Sequence, residues 1–223
     1  GQVVSITANG VSTSYTRSAS GSIVTTTVTD ANSNIGTAIG DTALGRVTSI
    51  TDELSRTTAY SYDASARLTQ VTRPEGDKTI IAYDTRGNTT STTARAKPGS
   101  GLADIVLTSS YPANCANPVT CNKPTWTRDA KGNQTDFTYD ATHGGLLTAT
   151  APAAISGGIR PQTRFGYAAV GPVTMLTSIA SCQTLASCAG TADETKTTTA
   201  YTTNLLPNSI TAASGNGSVS ATT

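Results

Sequence analysis

The side chains able to do chemistry are few: one histidine, four cysteines and a series of aspartates at regular spacing. His143, in Thr142-His143-Gly144-Gly145, is the only imidazole. A Ser–His–Asp arrangement would have to use it, yet no Gly-x-Ser-x-Gly elbow is present. It falls where a turn follows Tyr139-Asp140, so it reads as an exposed turn histidine. No other general base is poised, and no enzyme activity is expected. A single histidine also excludes most zinc enzymes and multi-histidine metal sites.

The cysteines form two pairs of equal spacing, Cys115/Cys121 and Cys182/Cys188. Each pair brackets five residues. Such loops bring Cα atoms within the ~4.4–6.8 Å that a disulfide needs. Two local disulfides and an oxidising compartment are the expectation. A four-thiolate zinc site is the alternative, but zinc pairs usually sit closer together. Buried free thiols are the third reading. A redox-active Cys-x-x-Cys is absent.

Aspartates recur at Asp30, Asp41, Asp52 and Asp63, skip at Pro74-Glu75-Gly76, and return at Asp84, Asp129 and Asp140. Each turn offers one carboxylate, so turn capping is preferred over calcium ligation. Trp126 and the strand tyrosines offer a sugar-stacking stripe, but aligned strand tyrosines are more often packed, with a wet hydroxyl. No cofactor and no metal are expected.

The elements that carry these residues are strands. Charged residues are 13% and hydrophobic residues 36%, both low for a soluble protein. Thr and Ser supply about 30%. Thr at this density disfavours helix. A net charge of +1 leaves no footprint for nucleic acid or an anionic membrane. No apolar run approaches the ~18 residues of a spanning helix.

The step between aspartates is about eleven residues, or about twenty-two for a pair, the scale of a repeat protein. Arg46–Thr51 and Arg56–Tyr62 are rich in β-branched and aromatic types. Tyr60/Tyr62 and Ile81/Tyr83 alternate with small residues, as in half-buried strands. Asp84-Thr85-Arg86-Gly87-Asn88 and Asp129-Ala130-Lys131-Gly132-Asn133 share one turn pattern, in which Asp caps backbone N–H groups and Gly supplies positive φ. Asp41–Arg46 reads as the same device. Asp63-Ala64-Ser65-Ala66-Arg67 has Ala in the Gly position. The unit is strand, turn, strand, turn. Stretches 94–111, 151–161 and 181–195 read as insertions at hairpin tips.

Tyr62-Asp63, Tyr83-Asp84 and Tyr139-Asp140 end their strands. The run from Gly45 to Asp63 resembles the RHS repeat, also called the YD repeat, and 133–140 is similar to its second half. Tyr62, Asp63, Tyr83, Asp84, Gly87, Asp129, Gly132, Tyr139 and Asp140 would be its structural signature. The expected fold is all-β: tandem antiparallel hairpins in one continuous spiralling sheet, a partial shell or solenoid. The whole of 1–223 is expected to form one repeat region, with clear repeats over 44–140, degenerate ones over 1–43, and degenerate ones with loop insertions over 141–223.

The resemblance implies a non-catalytic wall segment of a secreted or cell-surface protein. Such shells enclose the toxins of bacterial RHS proteins and insecticidal toxin complexes, and a related barrel occurs in teneurins. The Asp-Pro-x-Gly-Leu signature that precedes the toxin is absent. Expected partners are other repeats of the parent chain or neighbouring copies, an enclosed toxin cargo and surface glycans, but not nucleic acid or a membrane. Both ends read as strands cut mid-run, which suggests a piece of a longer protein. A β-filament subunit and a glycan-binding adhesin module are the alternatives.

Overall fold

The computed structural model describes residues 4–223, and the strand-like opening Gly1-Gln2-Val3 lies outside the described residues. No helix occurs among the described residues, and eighteen strands make up the regular structure. The chain divides into two compact units: 1–84 with 91–106, and 85–90 with 107–223.

The first unit contains β1 (Ser5–Ala8), β2 (Val11–Ser20), β3 (Ile23–Thr29), β4 (Ile35–Asp41), β5 (Arg46–Thr51), β6 (Thr57–Tyr62), β7 (Leu68–Thr72) and β8 (Lys78–Tyr83). Each pairs antiparallel with the next. Strands β9 (Thr89–Arg95) and β10 (Ile105–Ser110) are both cut by the division. In the second unit, β10 is followed by β11 (Trp126–Arg128), β12 (Gln134–Tyr139), β13 (Leu146–Thr150), β14 (Gln162–Val170), β15 (Val173–Cys182), β16 (Glu194–Tyr201), β17 (Pro207–Ser214) and β18 (Ser220–Thr222). These too pair in chain order, always antiparallel. The expected all-β fold of tandem hairpins is therefore the observed one.

Local sequence explains the strands. In β6, Thr58, Tyr60 and Tyr62 are half-buried while Thr57, Ala59 and Ser61 are exposed, so side chains alternate between faces. The abundant Thr has a second use beyond β propensity. Hydroxyls meet across neighbouring strands at Thr51 and Thr57 (2.8 Å), Thr138 and Thr148 (2.6 Å), and Thr211 and Thr222 (2.9 Å).

Little is fully buried. Cys121, Ala180, Cys182 and Cys188 are the buried apolar residues among those described, and Glu194 is the buried charge. Hydrophobic burial is thus a small part of what holds these sheets. Strand ladders, turns and bonded side chains carry the rest.

The strand-end tyrosines sit at irregularities. The register shifts immediately before Tyr62, Tyr139, Tyr167 and Tyr201. These bulges set the four rings opposite Leu68, Leu146, Leu176 and Pro207 respectively. A bulge re-aims a side chain at the end of a strand, which positions each tyrosine for the contact described next.

Candidate functional site

The repeated feature is a five-residue hairpin turn. Asp63 N–H donates to the Arg67 carbonyl (2.9 Å), and Ala66 N–H donates to the Asp63 carbonyl (2.9 Å). The Asp63 carboxylate accepts from Ser65 N–H, Arg67 N–H and Arg67 Nε. Asp30, Asp52 and Asp129 repeat this pattern, with Asn34, Arg56 and Asn133 closing the turn. The fourth residue has positive φ in each: Ser33, Ser55, Ala66 and Gly132. This is a three-residue hairpin loop ending in a left-handed residue.

Those bonds stabilise the ionised carboxylate. The Asn133 side chain, then the Asn133 and Lys131 N–H groups, hold Asp129 below the usual carboxylate range. Asp63 is lowered chiefly by the Arg67 backbone N–H, and Asp52 chiefly by the Arg56 side chain.

Two turns differ from expectation. Where the aspartate series skips, Arg73 N–H donates to the Asp77 carbonyl and Gly76 N–H to the Arg73 carbonyl. The turn is the same with its charges exchanged, and Arg73 Nη1 reaches Asp77 Oδ2 at 2.8 Å. The Asp41 turn is not the same device. Asp41 pairs with Arg46, five residues on, and its carboxylate accepts from Ala43 N–H. One extra residue moves the left-handed position to Gly45.

The tyrosine hydroxyls are not simply wet. Tyr62 donates to the Val47 carbonyl (2.7 Å), Tyr83 to Leu68 (2.9 Å), Tyr167 to Leu146 (3.2 Å) and Tyr201 to Leu176 (2.9 Å). The Tyr83 ring also lies under the Arg67 guanidinium at 4.9 Å. Tyr139 stacks near Phe137, and Lys123 Nζ lies 5.3 Å from its ring. Asp84 accepts at its carbonyl from Arg67 Nη1 (3.1 Å), and Gly87 has φ of 91°. Trp126 stacks with Arg128 at 5.1 Å.

Both cysteine pairs are disulfides, with Cα separations of 4.8 Å for Cys115–Cys121 and 5.5 Å for Cys182–Cys188. Asp193 lies close to the second pair, but both sulfurs are already bonded to each other and offer no thiolate to a metal. The first loop docks through Arg86, which donates to the carbonyls of Pro112, Ala113 and Cys121. Asn117 Nδ2 ties the same loop to the Ala141 carbonyl.

The second loop surrounds Glu194, which is only 6% exposed. One of its oxygens accepts from Arg164 Nη2 (2.5 Å), the other from Gly190 N–H (2.7 Å). The Gly190 bond, then Arg164, holds its carboxyl below the usual range.

His143 is exposed. Its Nδ1 accepts from Gly145 N–H (3.1 Å), and its ring lies 4.7 Å from that of Tyr167. A Cβ at Gly145 would come within 2.6 Å of the Tyr167 ring and 2.7 Å of His143, so only glycine fits there. No serine approaches the imidazole with a hydrogen bond among the described residues, and the ring acts as packing for its own turn.

The RHS Repeat family model matches residues 41–78. No curated protein sequence matches the chain. Among the solved structures that match, two illustrate the shared fold. A Photorhabdus luminescens Tc holotoxin pore, carrying a TccC3-D651A mutation, aligns over 100% of this chain at 15% identity and a TM-score of 0.56. A TcdB2-TccC3-TEV structure aligns over 95% at 13% identity and a TM-score of 0.53. The chain spans 12% of the length of each of those proteins. No helix of the described residues is long and apolar enough to cross a membrane. The match at 41–78 covers β5, β6 and β7 with their Asp52, Asp63 and Arg73 turns and ends at the first residue of β8, and on these grounds the chain carries an RHS repeat.

Proposed function

We propose that this chain is a non-catalytic wall segment of a longer RHS-repeat protein, one repeat region in a shell that encloses a toxin cargo. The carrying observation is that the whole chain aligns with about an eighth of a Tc holotoxin component, joined to an RHS match on its own hairpins. The bonding supports it: turn carboxylates and tyrosine hydroxyls are spent on the scaffold. An oxidising, extracellular setting is supported by the two disulfides. Other repeats of the parent chain are the main partners, and the cargo is the second.

The test is the intact mass of the native polypeptide, denatured and non-reduced, followed by electron microscopy of the native particle. A mass far above 22.6 kDa and a hollow particle with a protease-resistant interior are expected. A solid particle, or a polymer of separate 22.6 kDa chains, would overturn the reading.

A further inference from the structure

The arginines of this protein are almost all spoken for. Arg56, Arg67, Arg73, Arg95, Arg160 and Arg164 each reach a carboxylate. Arg86 donates to three carbonyls, and Arg128 bonds Gln134 and stacks on Trp126. Two remain. The Arg17 side chain on β2 has no hydrogen bond or ion pair among the described residues, and the Arg46 side chain on β5 reaches only the carbonyl of its neighbour Gly45. Both line one open groove of about 290 Å³ in the first unit.

The groove has a structural cause. On β4, Ala38 and Gly40 project almost nothing, while Val24 and Thr26 on β3 and Val47 on β5 rise beside them. The trough therefore has apolar sides and a cationic group from a strand on each side of β4. Asp41 also lines it, but that carboxylate is turned to Ala43 N–H and makes no ion pair with Arg46 among the described residues.

We infer that this groove holds an acidic peptide segment, with an apolar side chain on the Ala38–Gly40 floor and carboxylates on Arg17 and Arg46. Arginine suits this task because its planar fork meets a carboxylate with two parallel hydrogen bonds. The groove is open and lies along a sheet face, which suits an extended segment better than a lone ion. The inference stands apart from the wall reading, since a free chain or a wall segment presents the same groove.

The experiment titrates the 223-residue chain with the acetylated peptide amide Glu-Val-Glu, followed by NMR. Gln-Val-Gln serves as the uncharged control. Binding of the first without the second is expected. Arg17→Gln and Arg46→Gln should each weaken binding about tenfold, and Arg56→Gln, outside the groove, should not. All three positions are exposed, so the variants keep the fold. Equal binding of both peptides, no binding, or equal loss in Arg56→Gln would overturn the proposal. Displacement by inorganic phosphate at the concentration of the peptide would mark a bare anion site and overturn the assignment to a peptide.

Discussion

The hydroxyl of Tyr83 donates to the carbonyl of Leu68, the residue that faces Tyr62 across the preceding hairpin. The same relation joins Tyr167 to Leu146, which faces Tyr139, and Tyr201 to Leu176, which faces Tyr167. Each tyrosine thus fastens its hairpin to the one before it. This is a nearest-neighbour interaction of the kind that gives repeat proteins their cooperativity.

Removing one such bond should loosen one hairpin junction. Tyr83→Phe keeps the ring and its Arg67 contact but loses the hydroxyl, at a cost of about 1 kcal/mol. In a protein of this size that is a fall of roughly 2–4 °C in melting temperature. Tyr60→Phe, which removes a hydroxyl with no hydrogen bond among the described residues, should change stability by under about 0.5 kcal/mol. Equal effects from the two variants in a thermal melt would remove the hydroxyl from the account.

The left-handed turn positions offer gains as well as losses. Ala66 and Leu205 hold φ of 56° and 63°, where an L side chain is strained. Ala66→Gly and Leu205→Gly should each stabilise by about 0.5 kcal/mol, the relief of strain exceeding the added freedom of the unfolded chain. Gly132, at φ of 84°, should behave oppositely, with Gly132→Ala destabilising by about 1 kcal/mol. Chemical denaturation would measure all three, and a destabilised Ala66→Gly would contradict the strain argument.

How far the sequence discloses this depends on the range of each interaction. The turns at Asp63 and Asp129 are legible because donor and acceptor lie within five residues and the residue types are turn formers. The Arg73–Asp77 turn is not, because the backbone sets the loop and either end can carry the carboxylate. Strand alternation at Tyr60 and Tyr62 is visible as a period of two. The hydroxyl acceptors are not, because Leu68 and Leu146 lie 15 and 21 residues from their tyrosines and only register brings them together. Nor does the sequence disclose the Arg17–Arg46 groove, which depends on which strand is small between two others. That His143 is exposed is legible from its turn, but the Tyr167 ring against it is not.

Acid should unfold this protein through its turns. Asp30, Asp52, Asp63, Asp129 and Asp140 all sit below the ordinary carboxylate range, through hydrogen bonds to turn N–H groups and side chains. A folded pKa below the unfolded one means the unfolded chain binds protons first as pH falls. The contribution is fully present above the unfolded value of about 3.9 and is lost as pH falls through the lowered values. Melting temperature from these groups should be level from about pH 7 to 5 and drop below about pH 4. A double variant, Asp63→Asn with Asp129→Asn, should start lower and fall less steeply. A main loss of stability above about pH 5 would point to a different titrating group.

Glu194 poses the sharpest packing question. Its carboxylate is buried between Arg164 and Gly190 N–H, and Gly215 closes over it, donating its own N–H to the Glu194 carbonyl at 2.9 Å. A Cβ at Gly215 would run into Glu194 Oε2 and stand 2.6 Å from the Glu194 Cβ. Neither can yield, because the carboxylate is fixed on two donors and the Gly215 backbone on a third bond. Gly215→Ala should therefore destabilise the second unit, as should Glu194→Ala, which leaves the Arg164 guanidinium unpaired beside the Cys182–Cys188 bridge. The latter costs about 2–3 kcal/mol. The two losses share part of one cause: Glu194→Ala removes the carboxylate from the path of the methyl introduced by Gly215→Ala but keeps the Cβ at 2.6 Å, so the double variant should fall only partly short of their sum. Denaturation of the four proteins in the cycle would decide it, and strict additivity would mean that the Glu194 carboxylate is not what constrains Gly215.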